Sequence, residues 1–306
     1  MNFEFTEEQI MLRDSVARLV QDDYDFDTRR AIVESDEAMS REKWQMFAEL
    51  GWLSIPFAEE HGGFGGNAVD VMLMMEQLGK GLVVEPYLAT VLLFGNLLQK
   101  GGSEALQADY IPGIIDGSTL GAFAYLERQS RFELADLKTS AVAQGDDYVL
   151  NGEKVVVLNG ANADQVIVSA RTSGQQSDEQ GISLFLVAAD TPGLEKLTYR
   201  MMDGQLVANL VFDDVRVSAA QLVGDLDGGY GLIEAVALEA NLALAAEALG
   251  IMEQLNAKTL EYTRTREQFG VPIGSFQALQ HRMVDTFMAY EQTKSLLYRA
   301  VCAMSD

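Results

Sequence analysis

Arg264-Thr265-Arg266-Glu267-Gln268-Phe269-Gly270, followed by Pro272, Gly274 and Phe276-Gln277-Ala278-Leu279-Gln280-His281-Arg282, sets two guanidinium groups, an aromatic ring and an amide in a short connection punctuated by glycine and proline. Helix-like segments flank it on both sides. Guanidinium groups make bidentate contacts with phosphate that lysine does not copy, so such a connection can hold an anionic ligand. On spacing alone the plainer role is the better supported: a solvated helix end whose arginines complement the carbonyl-rich C-terminus of the preceding helix. The setting sharpens the question. Lys and Arg number 22 against 46 Asp and Glu in 306 residues, a formal charge of −24. A basic turn on so acidic a chain needs a reason.

The same charge balance argues against nucleic acid and against anionic membrane surfaces as partners. No apolar run has the length expected of a membrane span, and the N-terminus lacks the basic flank and apolar stretch of a secretory signal. Cys302 is the sole cysteine, which excludes an intrachain disulfide and a cysteine-based metal site. With only His61 and His281 to add, no metal centre is expected. The compartment expected is a reducing cytoplasm.

The elements that must position the basic connection fall into three parts, and the fold class is α+β. Residues 1–115 read as a helical domain. Thr6 is a candidate N-cap with Gln9 at capping-box spacing, and Leu12, Val16, Leu19 and Val20 form one apolar stripe. Beyond the glycine-rich loop 58–67, Val69 to Met75 and Thr90 to Phe94 are buried-helix candidates, their methionines serving as core filler. Residues 116–224 read as a compact, antiparallel, barrel-like β-domain. Its strands are Val142 to Leu150, Lys154 to Leu158, Gln165 to Ala170, Ser183 to Ala188 and Ala208 to Val217, with turns at Gly145-Asp146-Asp147, Asn151-Gly152 and Pro192-Gly193. Residues 225–306 return to helical periodicity, with long helices over Leu232 to Tyr262 and Phe276 to Met304. At 48% hydrophobic residues the chain has ample apolar material for this core.

The basic connection closely resembles the signature segment of the acyl-CoA dehydrogenase family. The resemblance runs along most of the chain, in order. It takes in Phe5-Thr6-Glu7-Glu8-Gln9, Gly51-Trp52-Leu53, Ile55-Pro56, His61-Gly62-Gly63-Phe64-Gly65-Gly66, Tyr148 to Lys154, Asn159 to Asp164 and Val211 to Val217. It implies FAD as cofactor, an acyl-CoA thioester as substrate and α,β-dehydrogenation as the reaction. It also implies that Arg266, Gln268 and Phe269 bind the adenosine diphosphate half of a flavin held mainly by a neighbouring subunit.

Other family positions carry different residues here. The threonine and serine that face the flavin ring align with Leu126 and Phe132, and the tryptophan and threonine of a second strand align with Val156 and Leu158. Phe132 is bulky enough to fill the ring pocket outright, and Leu126, Val156 and Leu158 read as strand residues packing a β-core. The base and substrate arginine of one family branch align with Ala240 and Asn241. Glu239 is adjacent, but one residue turns a helical side chain by about 100°, so it is read as a solvated carboxylate. The other branch carries its base, and the family a second flavin contact, at positions expected beyond Asp306. No catalytic residue is therefore assigned.

This pattern resembles partner subunits of heteromeric acyl-CoA dehydrogenases, of the pimeloyl-CoA small-subunit or steroid-side-chain-degrading kinds, with a homologous chain as partner. A flavin-free scaffold subunit is one alternative. A self-sufficient homo-oligomeric dehydrogenase with a rearranged site, using Glu127, Glu239 or a residue of a longer native chain as base, is another.

Overall fold

Thr6 opens the first helix as its spacing predicts. Its hydroxyl accepts the Gln9 N–H while the Gln9 side chain accepts the Thr6 N–H, satisfying donors that a helix start otherwise leaves orphaned. In the computed structural model, which describes residues 4–305, the helices before the sheet are α1 (Glu7–Asp23), α2 (Phe26–Glu34), α3 (Arg41–Glu49), α4 (Ala68–Gly81), α5 (Asn96–Gly101) and α6 (Glu104–Ile115). A π-helical segment, Tyr87–Gly95, precedes α5 where the sequence suggested ordinary helix. Thr90 within it donates to the Gly121 carbonyl at 3.0 Å.

The strands are β1 (Gly121–Ala124), β2 (Ser140–Gln144), β3 (Asp147–Leu158), β4 (Gln165–Arg171), β5 (Ile182–Ala188), β6 (Leu194–Arg200), β7 (Leu206–Ser218) and β8 (Leu222–Val223). Their order is β6-β7-β3-β2-β4-β5-β8, with β1 also paired to β4. Two pairings depart from the expected antiparallel pattern, since β1 and β2 both run parallel to β4. The turns at Gly145-Asp146 and Pro192-Gly193 form as read, but Asn151-Gly152 is no turn. β3 runs straight through it, with a register shift between Leu150 and Gly152. Gly152 has φ +149°, and a Cβ there would lie 2.5 Å from Thr139 Oγ1. A bulge needing glycine looks like a turn in sequence. The sheet core gathers Leu150, Val157, Val166, Phe185, Leu210 and Phe212.

After the sheet come α7 (Gly229–Thr265), the two-residue strands β9 (Glu267–Gln268) and β10 (Val271–Pro272), and α8 (Gln277–Ser305). The 37-residue α7 contains a window long and apolar enough, by composition, to cross a bilayer, a third of it buried within this chain. The expectation that no such run exists fails here because alanines and leucines accumulate between widely spaced glutamates.

By spatial proximity the chain divides into two compact units. One comprises the residues up to Arg29, Asn67–Val83 and the chain from Asn241, and the other Arg30–Gly66 with Val84–Ala240. In the first, α4 and α7 meet backbone to backbone. A Cβ on Gly79 would fall 2.1 Å from the Glu247 carbonyl oxygen, and one on Gly250 would fall 1.9 Å from that of Glu76. Met72, Met74 and Met75 fill the core of this unit. In the second, Arg200 at the end of β6 donates to the carbonyls of Val33 and Ser35, which ties an edge strand to the end of α2.

Candidate flavin-contacting arm and inner-sheet wall

The basic connection is a short hairpin arm carried on α7 and α8. The Arg266 N–H continues the α7 ladder to Tyr262 O at 2.8 Å, and Arg266 O accepts the Ile273 N–H at 2.8 Å, closing the arm at its base. Val271 pairs with Gln268 and Pro272 with Glu267. Gly274 packs on Thr263, where a Cβ would come 2.9 Å from the carbonyl oxygen, and Gln280 Nε2 donates to Gly274 O at 2.9 Å. The turn residues Phe269 (φ +55°) and Gly270 (φ +80°) are both left-handed, as a two-residue hairpin turn of the favoured twist requires.

The tip projects outward. Phe269 is 93% exposed and touches Phe276 edge-on, with ring centroids 6.2 Å apart. Arg264 lies in the last turn of α7, where its charge complements the helix terminus. The guanidinium of Arg266 is exposed and has no hydrogen-bonding or ionic partner among the described residues. Among the described residues the Gln268 side chain donates only to the adjacent Glu267 carbonyl, at 2.8 Å. The three residues proposed from sequence are thus gathered on one small, well-braced arm with their polar groups available.

The residues aligned with the family's ring contacts behave differently from expectation. Phe132 fills no pocket of its own chain; it is 94% exposed on a loop bent by Arg131 at φ +50°. Leu126, Val156 and Leu158 do not pack the β-core. Leu126 follows the end of β1, and its carbonyl accepts the Val155 N–H at 2.9 Å. Val156 sits in a second β3 bulge at φ +53° and is 36% exposed, whereas Val157 beside it is 2% exposed and belongs to the core. The bulge turns Val156 outward, and Leu158, two residues on, is only half-buried. The three side chains form an apolar wall that carries no hydroxyl of its own. Beside it, Asn209 Oδ1 accepts both the Val156 N–H and the Tyr199 hydroxyl, each at 3.1 Å.

Beneath that wall lies a feature the sequence reading missed. Lys154 is fully buried, and its ammonium meets Glu127 Oε1 at 2.8 Å and Ser169 Oγ at 3.1 Å. Glu127 also accepts the N–H groups of Lys138 (2.7 Å) and Thr139 (3.1 Å) and the Gln129 amide (2.8 Å). Burial pushes the Glu127 carboxyl up, but Lys154 and the other donors outweigh it and hold it well below 4.5. Burial also lowers the Lys154 ammonium from its usual 10.5, against the pull of Glu127. A lysine inside a β-branched run, with an acid inside another apolar run, was the available signal.

This geometry removes Glu127 as a base, because a carboxylate saturated with donors and held far below neutrality takes up no substrate proton. Glu239 is corrected too. It is no solvated carboxylate, since Lys100 approaches it at 2.9 Å and the Asn96 amide donates to it at 3.1 Å. Ala240, at the aligned base position, is 6% exposed and carries no acid.

Comparison with known proteins agrees with the fold. Models of the acyl-CoA dehydrogenase N-terminal, middle and C-terminal domains match residues 6–118, 122–215 and 227–306. The probable acyl-CoA dehydrogenase YngJ of Bacillus subtilis is 32% identical over 98% of this chain and 80% of its own length. The FAD complex of PigA superposes with TM-score 0.91 at 28% identity, covering 98% of this chain and 80% of that one. A variant of the steroid acyl-CoA dehydrogenase Tcur3481-Tcur3483 superposes with TM-score 0.87 at 29% identity, covering 98% and 78%. The chain belongs to the acyl-CoA dehydrogenase family, whose enzymes are FAD-dependent oxidoreductases acting on acyl-CoA thioesters.

The residues present fit FAD unevenly. The arm offers an unpartnered guanidinium, an amide and an exposed ring, a donor set suited to a diphosphate and an adenine. The wall offers apolar area for a flat ring, and Leu126, Val156 and Leu158 themselves carry no donor to stabilise charge arriving on it. When bound, the flavin supplies the hydride acceptor for the family's reaction.

Proposed function

We propose that this chain is one subunit of an FAD-dependent acyl-CoA dehydrogenase. Its arm, through Arg266, Gln268 and Phe269, holds the adenosine diphosphate half of a flavin whose ring is seated in a homologous neighbouring chain. That neighbour supplies the base and most of the acyl-CoA pocket. One contrast carries the reading: the arm keeps the Arg266 guanidinium without a partner among the described residues, while Leu126, Val156 and Leu158 carry no donor and the acids Glu127 and Glu239 are tied up. Likeness to a steroid enzyme whose name pairs two designations gives further support for a paired assembly. The cytoplasm is the compartment that accords with a single unbridged cysteine, Cys302.

The test is flavin content and turnover. The chain purified alone should carry little FAD and oxidise no acyl-CoA, whereas the complex isolated from its native source should be yellow. Arg266→Ala in that complex should lower flavin occupancy without dissociating the subunits. Stoichiometric FAD on the isolated chain with acyl-CoA turnover, or unchanged occupancy in the Arg266 variant, overturns the proposal.

A further inference from the structure

Inside the first unit, α1, α4, α7 and α8 line a half-open polar cavity of about 350 Å³. Two polar residues of α4 that line it, Glu76 and Gln77, are buried at 8% and 4% exposure. The groups lining the cavity are unequally satisfied. Lys80 pairs with Glu253 at 3.0 Å and lies 3.7 Å from Glu76, and the Tyr290 hydroxyl donates to Glu253 at 3.3 Å. The Glu76 carboxylate accepts no hydrogen bond within 3.5 Å among the described residues.

Two other groups stand unmatched. The Gln77 amide lines the cavity and has no hydrogen-bond partner among the described residues. Buried side-chain amides are normally bonded, and each orphaned polar group is costly. The Lys294 ammonium lies 5.8 Å from the ring centroids of both Tyr290 and Tyr298, and no carboxylate of the described residues stands within 4.0 Å of it. Arg13, the third cation, is occupied by Asp14 at 2.8 Å.

The geometry points to a binding site for a small zwitterion, of the size and charge pattern of a free amino acid. Its ammonium would meet Glu76, its carboxylate would meet Lys294 and the Gln77 amide, and its side chain would lie along the tyrosine rings. Each deficit of the cavity is met by one end of such a molecule. A simple anion would face Glu76 and Glu253 as well as the field of a chain carrying −24, and a simple cation would face Lys80 and Lys294. A dipolar ligand without net charge escapes both penalties. The volume is several times one water's share of about 30 Å³, so it accommodates more than a bridging solvent molecule. This site is separate from the arm and does not depend on the function proposed above.

The experiment is calorimetric titration of the full chain with glycine, alanine, leucine and phenylalanine, with acetate and methylammonium as controls. At least one amino acid should bind with a dissociation constant of about 1 mM or tighter, and neither control should. Gln77→Leu should weaken that binding about tenfold, the equivalent of one buried hydrogen bond. Lys294→Met, at a half-exposed position, should do the same and decides the matter alone if the first variant does not fold. Failure of every amino acid, equal binding of acetate or methylammonium, or unchanged affinity in a folded variant overturns the assignment.

Discussion

Replacing Lys154 by methionine and, separately, Glu127 by methionine should destabilise the fold unequally, and the order follows from the contacts. Lys154 is 0% exposed and the Glu127 side chain 3%, so removing either partner leaves an uncompensated group out of water, which costs about 3–5 kcal/mol. Without Lys154, the Glu127 carboxylate still accepts from Lys138 N–H, Thr139 N–H and the Gln129 amide, placing Lys154→Met near about 3 kcal/mol. Without Glu127, the ammonium keeps only Ser169 Oγ, and the two backbone N–H groups lose their acceptor, placing Glu127→Met at about 5 kcal/mol or more. Urea unfolding followed by tryptophan fluorescence, with the double variant completing a mutant cycle, measures both terms and their coupling. The acid limb gives a second reading. Glu127 is depressed in the folded state, so its stabilisation is present above 4.5 and lost as pH falls below it. Without Lys154 the depression shrinks, and acid unfolding should begin at higher pH. A reversed order of the two variants, or a cost below about 1 kcal/mol for each, would refute the reasoning.

The helix crossing and the polar cavity give two more. Gly250→Ala places a methyl 1.9 Å from the Glu76 carbonyl oxygen. It should lower the midpoint of thermal unfolding by the equivalent of about 1–3 kcal/mol, as overpacking does; an unchanged midpoint would mean that α4 and α7 separate freely. Glu76 is raised above 4.5 by burial, against the pull of Lys80. A raised carboxyl contributes stability that is present below 4.5 and lost as pH rises through its folded value. Glu76→Gln should therefore stabilise the chain at pH 7, with a gain that fades on acidification, and an equal gain at pH 4 would show that ionisation is not its source.

Much of the fold was legible in the sequence because helices and hairpins declare themselves locally. Thr6 and Gln9 mark a capping box, alanine and leucine recur through α7, and Gly145-Asp146 and Pro192-Gly193 punctuate strands. The failures came where one residue's meaning depended on a distant partner. Asn151-Gly152 has turn chemistry, yet Gly152 is there because Thr139 presses on the backbone of β3. Glu127 and Lys154 stand 27 residues apart, and nothing local joins them; only the pairing of sheet strands does. Val156 and Leu158 looked like core residues because alternation in a strand predicts which side is buried only while the register holds. The bulge between Lys154 and Val157 breaks that register.

The arm and the ion pair also differ in what sustains them. Glu127 and Lys154 satisfy one another within the chain, and their burial makes each necessary to the other. Phe269 has no such support. It is 93% exposed, and its φ of +55° is a conformation that costs a residue with a Cβ about 1–2 kcal/mol. The Arg266 guanidinium, three residues earlier, has no hydrogen-bonding or ionic partner among the described residues. Self-contained folding gives no reason to brace these two side chains so firmly at the arm's base and then point them at solvent. A phosphate-bearing ligand presented from outside the chain does give one, because a pre-set guanidinium and ring lose little freedom on binding it. The hairpin turn imposes that φ, and the proposed role accounts for keeping a residue with a Cβ under the strain. Relaxing it with Phe269→Gly should stabilise the isolated chain slightly while weakening its hold on FAD in the complex.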